Sequence, residues 1–252
     1  MTTGELATRT VIRTSPGLIR TLNEDRAVVR MAPPLFAVAD GMGGLSRGDF
    51  ASGLIAERLA DMELPDEPAE RIRAIDATLN EVNATIRAAS RTELCGSTVV
   101  LATIADETVH VAWAGDSRAM RLRNGVLKPL NHDHSVVQEL VDLGIVTEAA
   151  ARHHPLASQI TRAVGVAPTL DVEWCQDDVH AGDRLLLSSD GLHGVVESKL
   201  LAELASIPSA EEAADALMAA AADGGAPDNV TFIIVDFGEA AETGQGATGA
   251  AR

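Results

Sequence analysis

The stretch Leu35-Phe36-Ala37-Val38-Ala39-Asp40-Gly41-Met42-Gly43-Gly44 starts as an apolar run and ends in a carboxylate, which is followed by three glycines in four residues. The run has the length and composition of a buried β-strand, and the glycines predict that the chain turns directly after Asp40. Asp40 would then lie at the rigid end of a core strand, where a carboxylate is costly unless a cation neutralises it. The alternative is that Asp40 only starts a turn and faces water.

The same arrangement, an aspartate at the margin of an apolar strand, recurs three times downstream. Asp116 and Asp190 each follow an apolar run, and Asp228 precedes the last one. Because strand ends that are far apart in sequence can converge in space, we expect the four carboxylates to meet and to raise one another's pKa values. A divalent metal ion relieves such repulsion, and ligands that are all oxygen favour Mg²⁺ or Mn²⁺. No Cys or His lies beside these aspartates, which argues against zinc.

Gly41 and Arg20 extend this candidate site. The carbonyl of Gly41 would add an uncharged oxygen ligand, since glycine allows a close approach of the backbone. Two ions about 3.5–4 Å apart would hold a bridging water and acidify it for in-line attack on phosphorus. Arg20 lies in a polar loop just before Asn23-Glu24-Asp25, and a guanidinium binds phosphate through two parallel hydrogen bonds. A solvated surface position is the alternative for Arg20.

Composition excludes several classes of protein. The chain has 252 residues and a formal net charge of -17, which argues against nonspecific binding to nucleic acid or to anionic membranes. Cys95 and Cys175 are too few for a disulfide framework and predict reduced thiols in the cytoplasm. No stretch approaches the ~20 apolar residues that span a bilayer. We expect a soluble, cytoplasmic monomer.

The order of predicted elements indicates one α+β domain, with strands in antiparallel sheets and helices packed outside them. Residues 96–130 predict an antiparallel meander, with turns at Ala105-Asp106-Glu107 and at Asn124-Gly125. Residues 131–168 lack long regular structure and predict a small insert or flap over the domain. Residues 1–237 would form the domain, and residues 238–252, which lack periodicity, would form a disordered tail.

Seven motifs occur in the order seen in the bacterial branch of the metal-dependent protein phosphatases of type 2C (PPM), which this chain resembles over about residues 8–237. Any one motif is weak, whereas all seven in order at this spacing are highly specific. They are Asn23-Glu24-Asp25, Asp40-Gly41-Met42-Gly43-Gly44, Gly96-Ser97-Thr98, Gly115-Asp116-Ser117-Arg118, Asp133-His134-Ser135, Ser189-Asp190-Gly191-Leu192 and Asp228-Asn229-Val230-Thr231.

The resemblance implies two antiparallel β-sheets in a central sandwich flanked by helices, that is, α-β-β-α layers. It also implies Mn²⁺- or Mg²⁺-dependent hydrolysis of phosphoserine and phosphothreonine on proteins, by direct attack of a metal-bridging water. Carried over residue by residue, Asp40 would bridge two metal ions and Gly41 would donate its carbonyl. Asp190 and Asp228 would complete the second metal site.

The resemblance assigns three further roles. Asp25 would hold a metal-bound water, Arg20 would bind the substrate phosphate, and Asp116 would contact a weaker third ion. Gly194 stands where some members have another aspartate, so the chain would bind two ions with the third left open. The segment at about residues 140–166 would be the family's flap, which influences the choice of substrate. A Hanks-type Ser/Thr kinase and its substrates would be the partners.

Met42 stands where some members have a histidine that acts as general acid. His154, His193 and water are the remaining candidates for that role. A second hypothesis for the whole chain is a catalytically weak regulatory relative that binds phosphoproteins, although such relatives tend to lose the metal-site aspartates that this chain keeps. A nucleotide cradle at Gly41 to Gly44 is disfavoured, because no Gly-Lys-Ser or Gly-x-Gly-x-x-Gly follows a strand.

Overall fold

The computed structural model describes residues 6–43, 47–90, 95–152 and 154–239. Its strands are β1 (Leu6–Ser15), β2 (Asp25–Met31), β3 (Pro34–Gly43), β4 (Cys95–Ser97), β5 (Val99–Ala105), β6 (Thr108–Ala114), β7 (Arg118–Arg123), β8 (Val126–Pro129), β9 (Glu173–Asp178), β10 (Arg184–Ser188) and β11 (Val230–Glu239). Its helices are α1 (Gly48–Asp61), α2 (Pro68–Ala89), α3 (Val136–Asp142), α4 (Glu148–Ala151), α5 (Asp190–His193), α6 (Ser198–Ala205) and α7 (Ala210–Asp223).

The strands form two antiparallel sheets. One sheet has the order β1-β11-β10-β7-β8, and the other has the order β2-β3-β5-β6-β9 with β4 paired to β3. Apolar side chains from both sheets form a shared core that includes Phe36, Val100, Leu187 and Ile233. Helices cover the outer faces, α1 and α2 on the second sheet and α5 to α7 on the first. This architecture confirms the expected α+β class and its two-sheet sandwich.

Strand β3 shows why its sequence is apolar without alternation. Its odd-numbered residues Leu35, Ala37 and Ala39 face the core under the helices, whereas Phe36 and Val38 face the core between the sheets. A strand covered on both faces needs apolar side chains on both, and period-2 polarity is lost. Asp40 therefore follows a segment that is immobilised from two sides.

The expectation that the chain turns directly after Asp40 is wrong. Strand β3 continues through Gly43, and its last three residues pair with β4. Gly41 is needed for packing and not for a turn, since a Cβ at this position would lie 2.2 Å from the carbonyl oxygen of Gly48. Absence of a side chain lets the start of α1 contact the strand next to Asp40. Gly44, the last glycine of the motif, lies outside the described residues.

The predicted meander over residues 96–130 is correct in its turns and in its two hairpin pairs, β5 with β6 and β7 with β8, and wrong only in the pairing that would join β6 to β7. Asp106-Glu107 and Asn124-Gly125 form the two hairpin turns, with φ values of 48° and 59° and of 53° and 76°. Strand β6, however, pairs with β5 and β9, while β7 pairs with β8 and β10. The chain crosses between the sheets after β6, at Gly115, where φ is +122°. Asp116 lies in this crossing.

The segment between β8 and β9 contains α3 and α4 and includes the predicted flap. One isolated antiparallel bridge, Ser97 with Val164, joins it to β4, and another, Ser135 with Ile160, lies within the segment. At the end of the chain β11 extends through Glu239, two residues beyond the expected end of the domain at 237. The rest of the predicted tail, residues 240–252, lies outside the described residues. No helix in the described part of the chain combines the length and apolarity needed to cross a bilayer.

Candidate active site

Five aspartates gather where strands of both sheets end. Asp25 is the first residue of β2 and lies directly opposite Asp40 in β3. Asp190 opens α5 just after β10, Asp116 lies in the crossing between β6 and β7, and Asp228 precedes β11. Asp40 is close enough to the other four for each to raise its pKa. The convergence expected from strand ends is therefore present, and it includes Asp25.

Asp40 and Asp190 stand at the centre of this group. Burial raises the pKa of Asp40 well above its ordinary value, and repulsion from Asp25 and Asp190 raises it further. Burial and repulsion from Asp228 likewise raise the pKa of Asp190. The carboxyl groups of Asp40 and Asp190 lie within hydrogen-bonding reach of each other, a contact that requires a proton on one of them.

Asp25 and Asp116 are the more deeply buried members, at 3% and 8% exposure. Burial raises the pKa of Asp25 to about 7, against the hydrogen bonds that it accepts from Ser189 and Thr231. Its Oδ2 accepts from the Ser189 hydroxyl at 2.9 Å, but its Oδ1 is buried without a partner. Burial, with repulsion from Asp190, raises the pKa of Asp116 to about 8. An unpartnered buried carboxylate oxygen is costly and favours a cationic or hydrogen-bonding ligand.

The motif Gly96-Ser97-Thr98 holds the backbone of Asp40, a role that sequence reasoning missed. The carbonyl oxygen of Asp40 accepts from the Thr98 amide and from the Ser97 hydroxyl, both at 2.9 Å. The Asp40 amide donates to Thr98 Oγ1 at 3.2 Å. Thr98 Oγ1 also shares a 2.7 Å hydrogen bond with the hydroxyl of Ser117, beside Asp116. The sequence signal that could have revealed this backbone clamp on Asp40 is a serine and a threonine that follow glycine and precede a buried strand.

Asn229 is a second residue that sequence reasoning left without a role. It is 5% exposed, and its side-chain amide donates to the carbonyls of Pro16 and Leu22 at 3.0 and 2.8 Å. Its Oδ1 accepts from the Glu24 amide at 2.7 Å. Asn229 thus ties the loop that carries Arg20 to the residue after Asp228. The polar pair Asp228-Asn229 at the start of an apolar strand was its only signal.

Arg20 reaches the carboxylate group from this loop. Its Nη2 lies 2.7 Å from Asp228 Oδ2, and that hydrogen bond raises the pKa of the guanidinium, with smaller contributions from Glu24 and Asp40. The side chain is 54% exposed, so an incoming anion can reach it. Of the two positions considered for Arg20, the structure shows the one beside the aspartates.

The aspartates were tested as a metal site by their geometry and donor chemistry. In residues 6–43, 47–90, 95–152 and 154–239, no three His, Cys, Asp or Glu side chains form a ready coordination sphere. Asp228 is turned onto Arg20 and Asp190 onto Asp40. The donors are nevertheless all oxygen, Asp25 Oδ1 has no partner, and the negative charge of five aspartates exceeds what the guanidinium groups of Arg20 and Arg118 offset. Such a set fits hard divalent cations such as Mg²⁺ and Mn²⁺.

The two histidine candidates for general acid have different surroundings. His193 is 5% exposed, and its Nδ1 lies 2.9 Å from the Ser188 hydroxyl. Burial lowers its pKa well below the ordinary value, with Arg118 and Arg152 acting in the same direction. A neutral, buried and hydrogen-bonded imidazole serves packing. His154 is partly exposed, and its Nδ1 accepts from the Leu156 amide at 3.2 Å.

Comparison with known proteins identifies the family. The family model for protein phosphatase 2C matches residues 14–140. The chain is 36% identical over 238 residues to the serine/threonine protein phosphatase PstP of Mycobacterium tuberculosis, covering 92% of this chain but only 45% of that relative. It is also 36% identical to the serine/threonine phosphatase stp of Listeria monocytogenes, covering 89% of this chain and 94% of the relative.

A solved structure supports the same assignment. The catalytic domain of serine/threonine protein phosphatase PstP, in complex with two manganese ions, has a TM-score of 0.82 and 32% identity, covering 93% of this chain and 100% of the other. The sandwich of two antiparallel sheets, the match to the family model and the coverage of the Listeria relative agree. This chain belongs to the protein phosphatase 2C family.

Proposed function

We propose that this chain is a Mn²⁺- or Mg²⁺-dependent protein serine/threonine phosphatase that hydrolyses phosphoserine and phosphothreonine. The observation that carries the proposal is the convergence of five aspartates beside the half-exposed Arg20. Named serine/threonine phosphatases among the relatives support it. A phosphate monoester needs both features, a cationic grip on its oxygens and an activated water at phosphorus.

In this proposal Asp40, Gly41, Asp190 and Asp228 hold two metal ions, and Asp116 contacts a third. The pair, when bound, lowers the pKa of a water and neutralises charge on the phosphate. The raised pKa values of Asp40, Asp116 and Asp190 support this role, since protons leave when a cation arrives. The clamp on the Asp40 backbone keeps that carboxylate in place whatever its charge.

The other residues position substrate and water. Arg20 binds the phosphate through its guanidinium, releasing Asp228 from their ion pair, and Asn229 keeps the Arg20 loop in register with Asp228. Asp25 Oδ1 accepts a hydrogen bond from the attacking water, while Ser189 fixes the other carboxylate oxygen. A pKa of about 7 lets Asp25 hold or release a proton near neutral pH. His154 and water are the proposed sources of the proton for the leaving group, because His193 is buried and hydrogen-bonded to Ser188.

The biological setting is proposed from the cysteine content and from analogy with the family. A Hanks-type Ser/Thr kinase and its substrates are proposed as partners, by analogy with the family. Two free cysteines, of which Cys95 is buried, support a reducing cytoplasmic location. We also propose that one catalytic domain extends through Glu239, the end of β11, with the flap at about 140–166, and that it acts as a monomer.

The direct test measures hydrolysis of p-nitrophenyl phosphate and of a phosphothreonine peptide with Mn²⁺, with Mg²⁺ and with EDTA. We expect turnover with either metal and none with the chelator. Asp190→Asn should abolish turnover, while Asp215→Asn, which changes an aspartate 71% exposed on α7, should not. Turnover that persists in EDTA would overturn the metal-dependent mechanism. Phosphopeptide binding without turnover at any metal concentration would favour the regulatory relative instead.

A further inference from the structure

The loop that carries Arg20 presents large apolar side chains to solvent. Leu18, Ile19 and Leu22 are 66%, 71% and 51% exposed, and we call these three residues the apolar rim. Twelve large apolar side chains are exposed in the described part of the chain, so a quarter of them occupy one five-residue stretch. Single exposed apolar residues are ordinary, whereas a cluster of them marks an interaction surface.

The backbone holds the apolar rim in place. The amide of Leu18 donates to the carbonyl of Ala226 at 2.9 Å. Asn229 donates to Pro16 and Leu22, one residue at each end of the loop. Because both ends and the middle are bonded to the segment around Asp228, the rim keeps its place beside the carboxylates. A preformed apolar surface binds a partner at a smaller entropic cost than a flexible one.

Charge around the rim determines which partner fits. Arg20 lies two positions from both Leu18 and Leu22 and is the only cationic residue of the loop. The side chains that act on its guanidinium are carboxylates, those of Asp228, Glu24 and Asp40. From this loop a phosphorylated segment therefore meets one basic side chain for its phosphate, and otherwise acidic and apolar groups. Acidic residues next to the phosphate are repelled, while apolar ones gain by burial against the rim.

We propose that the apolar rim selects substrates that carry an apolar side chain within about two residues of the phosphorylated serine or threonine. The inference rests on the proposed phosphatase function and names the sequence class of its substrates. Leu18, Ile19 and Leu22 are specificity residues that contact the polypeptide and not the phosphate.

The experiment compares two phosphothreonine peptides that differ at the two positions on each side of the phosphothreonine. One peptide has leucines there and the other has serines. The reference substrate is p-nitrophenyl phosphate, which has no flanking residues. The wild-type protein with Mn²⁺ should prefer the leucine peptide by about tenfold in kcat/KM, as expected from partial burial of one apolar side chain. The triple variant Leu18→Ser, Ile19→Ser, Leu22→Ser should lose this preference and keep its rate on p-nitrophenyl phosphate. The preference should be in KM, with kcat little changed.

The matched control is Val126→Ser. Val126 is also 66% exposed, but it lies on β8, at the opposite edge of its sheet from β1, which leads into the loop. This variant should retain the full preference for the leucine peptide. Equal kcat/KM values for the two peptides in the wild type, or a preference that survives in the triple variant, would overturn the proposal.

A parallel binding measurement separates this inference from the proposed function. Fluorescence anisotropy with the Asp40→Asn variant measures peptide affinity without turnover. Suppose that the wild type hydrolyses no substrate, and that the leucine peptide binds more tightly than the serine peptide only when the apolar rim is intact. The proposed phosphatase function is then wrong, and the proposed peptide preference of the rim is upheld. If p-nitrophenyl phosphate is hydrolysed but neither peptide is preferred, the rim fails alone. Rim-dependent dimerisation in sedimentation, without peptide preference, would reassign the surface to self-association.

Discussion

Strand β10 has an aspartate beside each end, and the two carboxylates have opposite surroundings. Asp183, just before the strand, is 3% exposed and receives two hydrogen bonds from Arg123, at 2.8 and 2.6 Å. Burial alone would raise its pKa, but the bonds from Arg123 and from the His180 amide lower it below the ordinary value. Asp190, just after the strand, has a carboxyl group for its neighbour and a raised pKa.

The same contrast holds between Asp183 and Asp25, which are equally buried at 3%. Asp183 is hydrogen-bonded to a guanidinium, and both of its carboxylate oxygens have partners. Asp25 accepts a hydrogen bond from a serine hydroxyl, has one oxygen without a partner and has a pKa of about 7. Whether a buried carboxylate stabilises the fold therefore depends on a cationic partner and not on the degree of burial. The Asp183 end is built for stability, and the Asp190 end lowers the stability of the protein by itself and is suited to bind cations.

The largest effect is expected for Asp40→Asn, which keeps the shape of the side chain and removes its charge. Turnover of p-nitrophenyl phosphate with Mn²⁺ should fall at least about 1000-fold, or about 4 kcal/mol in the barrier. In EDTA the variant should be at least as stable as the wild type in urea unfolding, because repulsion from Asp25 and Asp190 is relieved. If the variant lost both activity and stability, Asp40 would be a residue that stabilises the fold, as Asp183 does.

Arg123→Ala tests the other end of β10. The substitution leaves Asp183 buried without its cation, so we expect the free energy of unfolding in urea to fall by about 2 kcal/mol. This loss is smaller than for a fully buried ion pair, because the Arg123 side chain is 27% exposed. Activity of the folded protein should be unchanged. Arg13→Ala, which removes a more exposed pair with Glu211, is the control and should change stability by less than about 1 kcal/mol. Equal effects of the two variants would contradict the role given to Asp183.

The pH dependence of stability in EDTA should show the unpaired end directly. Asp25 and Asp116 have pKa values of about 7 and about 8 in the folded protein and an ordinary value near 4 when unfolded. The folded state thus binds more protons, so stability falls as pH rises toward these folded-state pKa values, and the fall continues over the range from pH 7 to 9. The part due to Asp116 is about 1.4 kcal/mol. Asp116→Asn should flatten the slope by that amount, and an unchanged slope would contradict it.

The smallest effect is expected for Arg20→Ala on stability. Its ion pair with Asp228 joins side chains that are 54% and 40% exposed, and such pairs contribute less than about 1 kcal/mol. The KM for p-nitrophenyl phosphate should nevertheless rise about tenfold, because a charged hydrogen bond to the phosphate is lost. Urea unfolding and steady-state kinetics measure the two effects. A large loss of stability with an unchanged KM would mean that Arg20 serves the fold.

Local features were readable from the sequence alone because they depend on neighbouring residues. The two hairpin turns require a left-handed backbone, and Asn124-Gly125 supplies it at little cost. Uninterrupted apolarity in β3 predicted a core strand, and an aspartate at each of several strand margins predicted a shared site. The resemblance to type 2C phosphatases, confirmed by the comparisons, rested on the same motifs.

The tertiary structure decided what depends on distant contacts. Which sheet receives β7 is set by its fit against β10, and no residue between Gly115 and Arg118 signals the change of sheet. His193 could have faced the site or the core, and only the packing of α5 on β10 shows that it is buried and neutral. Asp183 and Asp190 look alike in sequence. Whether each has a guanidinium beside it depends on an arginine from another part of the chain, since an ion pair requires proximity in space.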